Sequence, residues 1–147
     1  GPRAPDIAMS LGWNSSPNDA GYAGHHYNSG LVAGQGNHGS MSSHEQRCAF
    51  IMVGPKIKQG VVSSAPSSNV DVAPTILRLL GLDAPAGLDR RALDEALIGG
   101  SALDEVEWSS EIHVAERDLA NGKYRQQIMI SKVGDTTSID EGSAAHA

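Results

Sequence analysis

The run Cys48-Ala49-Phe50-Ile51-Met52-Val53 constrains the fold more than any other stretch of the chain. It is apolar at consecutive positions, so a strand built from it can present neither face to water. Gly54-Pro55 ends it. A strand buried on both faces belongs in a parallel or mixed sheet covered by helices, which makes an α/β fold the expectation. A covering helix follows, over 72–80. Asp71 or Asn69 can cap it, Pro74 is tolerated in its first turn, and Gly81 is a natural stop. Val72, Ile76, Leu79 and Leu80 fall on one face of it at helical spacing.

Just ahead of the apolar run lies Gly36-Asn37-His38-Gly39-Ser40, followed by Ser42-Ser43-His44-Glu45. A loop histidine before a buried strand sits where α/β folds place ligands, at the end of a sheet. Flanking glycines leave room beside the His38 imidazole for a ligand or a metal ion, and neutral imidazole is a common metal ligand. The alternative is a solvated or structural loop histidine. Ser42 and Glu45 have capping-box spacing. His25-His26 lie in a glycine-rich loop, where they can meet a metal or remain surface polar residues. His113 falls on the polar phase of a strand, and His146 is in the tail. His44 and Cys48 have the spacing of a two-histidine zinc helix, but cysteine replaces the second histidine and opens the apolar run, where a buried, inert thiol is expected. There is no Gly-x-Ser-x-Gly elbow and no phosphate-cradling Gly-Lys-Ser/Thr loop.

The 147 residues suffice for one domain with a core, and 39% of them are hydrophobic. A net charge of −6 with no basic cluster argues against a sequence-independent nucleic-acid surface. The single cysteine excludes an internal disulfide. No stretch has the length and apolarity of a membrane span. Gly1-Pro2-Arg3 does not begin a signal peptide, and the compartment is left open; the expectation is that the sequence is a piece of something longer.

The chain reads as one segment, 1–147, in three parts. Residues 1–37 form an irregular Gly/Asn/Ser-rich loop layer with one short strand at Ile7–Leu11. Residues 38–100 form the α/β part, with a brief strand at Val61-Val62 and a second helix over 90–98 that turns Leu93 and Leu97 inward. Residues 101–142 form a small antiparallel sheet with strands near 106–114, 124–133 and 136–139, turned at Asn121-Gly122 and Gly134-Asp135. Residues 141–147 read as a frayed tail.

The order of these pieces resembles the C-terminal part of the alkaline phosphatase superfamily, in its type I phosphodiesterase/nucleotide pyrophosphatase branch. The resemblance rests on Gly36-Asn37-His38-Gly39-Ser40 with Glu45, on Phe50 to Gly60, and on Asn69 to Leu82 with its Asp71-Val72-Ala73-Pro74-Thr75 start. It runs from about Trp13 to Gly142. It implies the C-terminal portion of an alkaline-phosphatase-like sandwich, a mixed sheet with covering helices, plus a small antiparallel C-terminal sheet. It implies a hydrolase of small phosphate esters that uses two divalent metal ions, often zinc, with His38 as one metal ligand. His25 and His26 would contact substrate or support the ligands, while Gly39, Asp71 and Pro74 would be structural. Relatives of this kind are often exported. The family's nucleophile, its early Asp ligand and its Asp-His-Gly motif have no counterpart in this chain, so no catalytic residue is assigned and the chain alone is expected to be inactive. Leu88-Asp89-Arg90-Arg91 also departs from the Asp-Gly-Arg the family often carries. A different class fits the same residues: a truncated, non-catalytic binding or interaction module. In either case unpaired strand edges are expected to make the chain self-associate.

Overall fold

The structure, a computed structural model, describes residues 6–27, 30, 32, 35, 38–88 and 90–146. Gly1-Pro2-Arg3, Gly36, Asn37 and Asp89 lie outside the described residues. The fold is mixed α/β, with few helices and a small three-stranded antiparallel sheet. In chain order the strands and α-helices are β1 (Trp13–Pro17), β2 (Ala23–His26), α1 (Ser43–Gln46), α2 (Val72–Leu80), β3 (Ser109–Leu119), β4 (Gly122–Val133) and β5 (Thr136–His146). β1 and β2 form a two-stranded antiparallel sheet, and the larger sheet has the order β3-β4-β5. The contacts divide the chain into two units. One holds Gly1–Cys48, Ile112–Met129 and Ile139–Ala147; the other holds Ala49–Glu111 and Ile130–Ser138.

In the second unit, α2 forms over the expected residues, but the expected side-chain cap is absent: Asp71 precedes the helix without capping it, and its Oδ2 instead accepts the Ser68 amide at 2.8 Å across the 3-10 turn Asn69–Asp71. Pro74 is buried in the first turn, where its missing N–H costs nothing. Gly81 adopts φ 71°, a left-handed conformation open to glycine. That lets the Leu82 amide return to the Leu77 carbonyl at 2.9 Å and close the helix. The apolar core of this unit is small: Ile57, Leu93 and Leu97 are its buried aliphatic side chains among the described residues. Buried polar groups join them. Thr75 Oγ1 donates to the Asp71 carbonyl at 2.6 Å and accepts from the Leu93 amide at 3.0 Å. Arg91 grips Glu95 through both terminal nitrogens, at 2.9 and 2.8 Å, and donates to the Pro66 carbonyl at 3.0 Å.

The expectations for the apolar run and the segments after it are corrected. Residues 48–53 do not form a strand, and no mixed sheet forms among the described residues. Residues 49–53 exchange no backbone hydrogen bonds there, so the run has strand composition without a partner to make it a strand. It lies open, with Ile51 83% and Val53 92% exposed, and Cys48 is exposed rather than buried. The helix over 90–98 is only a 3-10 turn at Asp94–Ala96. Leu93 and Leu97 do point inward, but the backbone is drawn away from helical bonding. The Lys58 amide bonds to the Ala96 carbonyl and the Ile98 amide to the Lys56 carbonyl, both at 2.9 Å, around the antiparallel bridge Ile57–Leu97. Val61-Val62 forms no strand.

In the first unit, Ile7–Leu11 is exposed and not a strand. A hairpin forms instead at 13–26. Its turn is held by Asn18, whose Oδ1 accepts the amides of Ala20 and Tyr22, both at 3.0 Å. The tail is not frayed, since β5 continues to His146. The β3–β4 turn falls at Ala120-Asn121, one residue before the Asn-Gly pair. Beyond it Glu116 and Arg125 meet across the strands at 3.4 Å.

Candidate functional site

The histidine loop enters α1 through a chain of short polar contacts. Gly39 has φ 96°, so only glycine takes this turn without strain. It hands the chain from exposed His38 to buried Ser40. Ser42 is the N-cap of α1, and its Oγ accepts the His44 amide at 3.2 Å. Glu45 does not complete a capping box on Ser42. Its Oε2 accepts the Ser40 amide at 2.9 Å, two residues further back, while the Ser42 amide goes to Ser40 Oγ at 3.2 Å. Gln46 Nε2 donates to the Ser40 carbonyl at 2.8 Å. Ser40 is thus held through its amide, its carbonyl and its hydroxyl.

This environment lowers the pKa of Glu45. The Ser40 hydroxyl is the largest cause; burial opposes it, and the Ser40 amide, the positive charge of His26 and the Gly39 amide add to it. β2 sends consecutive side chains to opposite faces, leaving His25 exposed and His26 half-buried. The two histidines do not form a chelating pair.

Trp13 ties these pieces together. It pairs with His26 in the β1–β2 register, and its ring meets His44 edge-on at 6.0 Å. Its Nε1 donates to the Gly142 carbonyl at 2.6 Å. Gly142 in turn donates its amide to the Met41 carbonyl at 2.8 Å. His44 Nε2 lies 3.2 Å from Ser15 Oγ. Sequence reasoning set His44 aside with the zinc-helix pattern and did not single out Gly142. The one signal available was the aromatic at 13; the small residues at 142–145 give none. Of the remaining site residues, Asp71 is 1% exposed and Pro74 is buried, both at the start of α2.

Among the described residues no three His, Cys, Asp or Glu side chains form a group that could hold a metal ion. A metal pair therefore does not fit these residues by themselves, and His38 offers a single exposed imidazole. Among the described residues no helix is long and apolar enough to cross a membrane.

A groove of about 560 Å³ opens in the second unit, between residues 50–57 and the Val72, Thr75, Ile76 and Leu79 side of α2. It is lined mainly by the apolar run that lacks a strand partner. No family model, curated protein or solved structure matches the chain.

Proposed function

We propose that this chain is the C-terminal segment of a metal-dependent hydrolase of phosphate esters, similar to the type I phosphodiesterase/nucleotide pyrophosphatase branch of the alkaline phosphatase superfamily. It contributes His38 as one ligand of a two-metal centre, zinc being the expected metal. The observation that carries this reading is the fixed loop itself. His38 lies between the motif glycines and is exposed, and Ser40, two residues on, is held by the Glu45 carboxylate; the open apolar run and the Asp71–Pro74 helix start follow in the order the family shows. The bound metals would polarise the phosphate ester and activate the attacking group. The chain's own residues present the imidazole, hold its loop and wall it with the Trp13 hairpin. His25 and His26 are placed on that hairpin as contacts to substrate or to the ligands. The remaining ligands and the nucleophile come from outside these residues, and the alkaline-phosphatase-like sandwich is completed there.

The purified chain with zinc is expected not to release p-nitrophenol from bis(p-nitrophenyl) phosphate. Turnover that disappears in His38→Ala would show a self-sufficient site and overturn the assignment of the nucleophile elsewhere. A second reading, a non-catalytic interaction module, is favoured by the open apolar groove, since grooves of this kind commonly mark contact surfaces. Zinc affinity of the native polypeptide that contains this sequence separates the two: it falls on replacement of His38 if His38 is a metal ligand, and an interaction module loses nothing measurable.

A further inference from the structure

We infer that Gly142 is the positioning residue of the histidine loop. It belongs to β5, far from the loop in sequence, yet both its backbone polar groups are spent on the site. Its amide donates to the Met41 carbonyl at 2.8 Å, three residues after His38. Its carbonyl accepts Trp13 Nε1 at 2.6 Å, on the strand paired with His26. One residue of β5 therefore ties the His38 loop and the His25–His26 hairpin to a common support.

The requirement for glycine here is steric. A Cβ at this position would lie 3.0 Å from Met41 Cε and 3.1 Å from Met41 Cβ. The Met41 methyl can swing away, because its side chain has three rotatable bonds. Its Cβ cannot move without its backbone, and that backbone is also held on the other side, where the Met41 amide donates to Ser10 Oγ at 3.1 Å. A methyl on residue 142 thus pushes on the segment that carries His38. Trp13 transmits the same support to His44, whose ring meets it edge-on.

This inference goes beyond the proposed function and stands whether or not His38 binds metal. The test is to follow the imidazole carbon–proton signals of the six histidines by NMR, with and without zinc. In Gly142→Ala the His38 and His44 signals are expected to move, while the methyl signals of Leu93 and Leu97 in the other unit stay in place. If wild-type His38 responds to zinc, the midpoint of that response is expected to rise roughly tenfold in Gly142→Ala, as for loss of a ligand's supporting contacts. Should Gly142→Ala unfold its unit, Trp13→Phe adds no bulk and removes the indole donor together with part of the ring; since ring loss alone perturbs His44 and His26, the signal read is that of His38, which is expected to shift in the folded chain. A His38 signal unchanged in Gly142→Ala, or in Trp13→Phe where Gly142→Ala does not fold, overturns the inference.

Discussion

Glu45 Oε2 accepts the backbone amide of Ser40 at 2.9 Å, which ties the histidine loop back onto α1 through a carboxylate. The pKa of Glu45 is lowered on folding, chiefly by the Ser40 hydroxyl. The stability it contributes is therefore fully present above the ordinary carboxylate range, and it is lost as pH falls through the lowered folded value. Glu45→Gln is expected to cost about 1 kcal/mol near neutrality, discounted for partial solvent exposure, and to abolish the part of the acid-induced loosening that belongs to this loop. Amide hydrogen exchange at Ser40 and Ser42, followed across pH, measures it.

Thr75 is the polar hinge between α2 and the segment that carries Leu93. Thr75→Val keeps the shape but leaves the buried Leu93 amide without its acceptor. The expected loss is about 1–3 kcal/mol, seen as a lower midpoint in denaturant. Thr75→Ser, which keeps the hydroxyl, is expected to lose less.

Arg91 and Glu95 form a paired fork whose side chains are 15% and 3% exposed. Removing one partner strands the other charge away from water, so Arg91→Met is expected to destabilise by about 3–5 kcal/mol. The double variant Arg91→Met/Glu95→Leu is expected to recover a large part of that loss. A double-mutant cycle by chemical denaturation gives the coupling; additive effects contradict the reading.

The sequence made α2 legible because proline in the first turn, glycine after the last and helical apolar spacing all agree. Residues 48–53 were misread because apolar composition reports what a segment needs, not whether a neighbour supplies it. The hairpin at 13–26 left no periodic trace; its strands are short and its turn depends on one side chain, Asn18. β5 was hidden for a similar reason, since Ser143, Ala144 and Ala145 carry little strand propensity and are ordered through pairing. At the site, His38 was visible from its glycines. The brace through Trp13 and Gly142 was not, because it joins residues 129 positions apart by a backbone carbonyl.

The open groove predicts association. Ile51 and Val53 stand almost fully exposed beside Ile76 on α2. Ile51→Asp/Val53→Asp is expected to reduce both self-association in sedimentation velocity and binding of a hydrophobic dye, without lowering the α2 signal in circular dichroism. Association unchanged by these substitutions places the sticky surface elsewhere, on the exposed β3 edge for example.

The most direct measurement is on the native polypeptide that contains this sequence, captured by an antibody against it and weighed intact. It is then assayed with zinc on bis(p-nitrophenyl) phosphate, as wild type and as His38→Ala. The account predicts a polypeptide heavier than the 15.3 kDa of this chain, active as wild type and without turnover when His38 is replaced. A heavier polypeptide whose activity is indifferent to His38, or a native chain of 15.3 kDa with no zinc-dependent activity, contradicts it and leaves the interaction module.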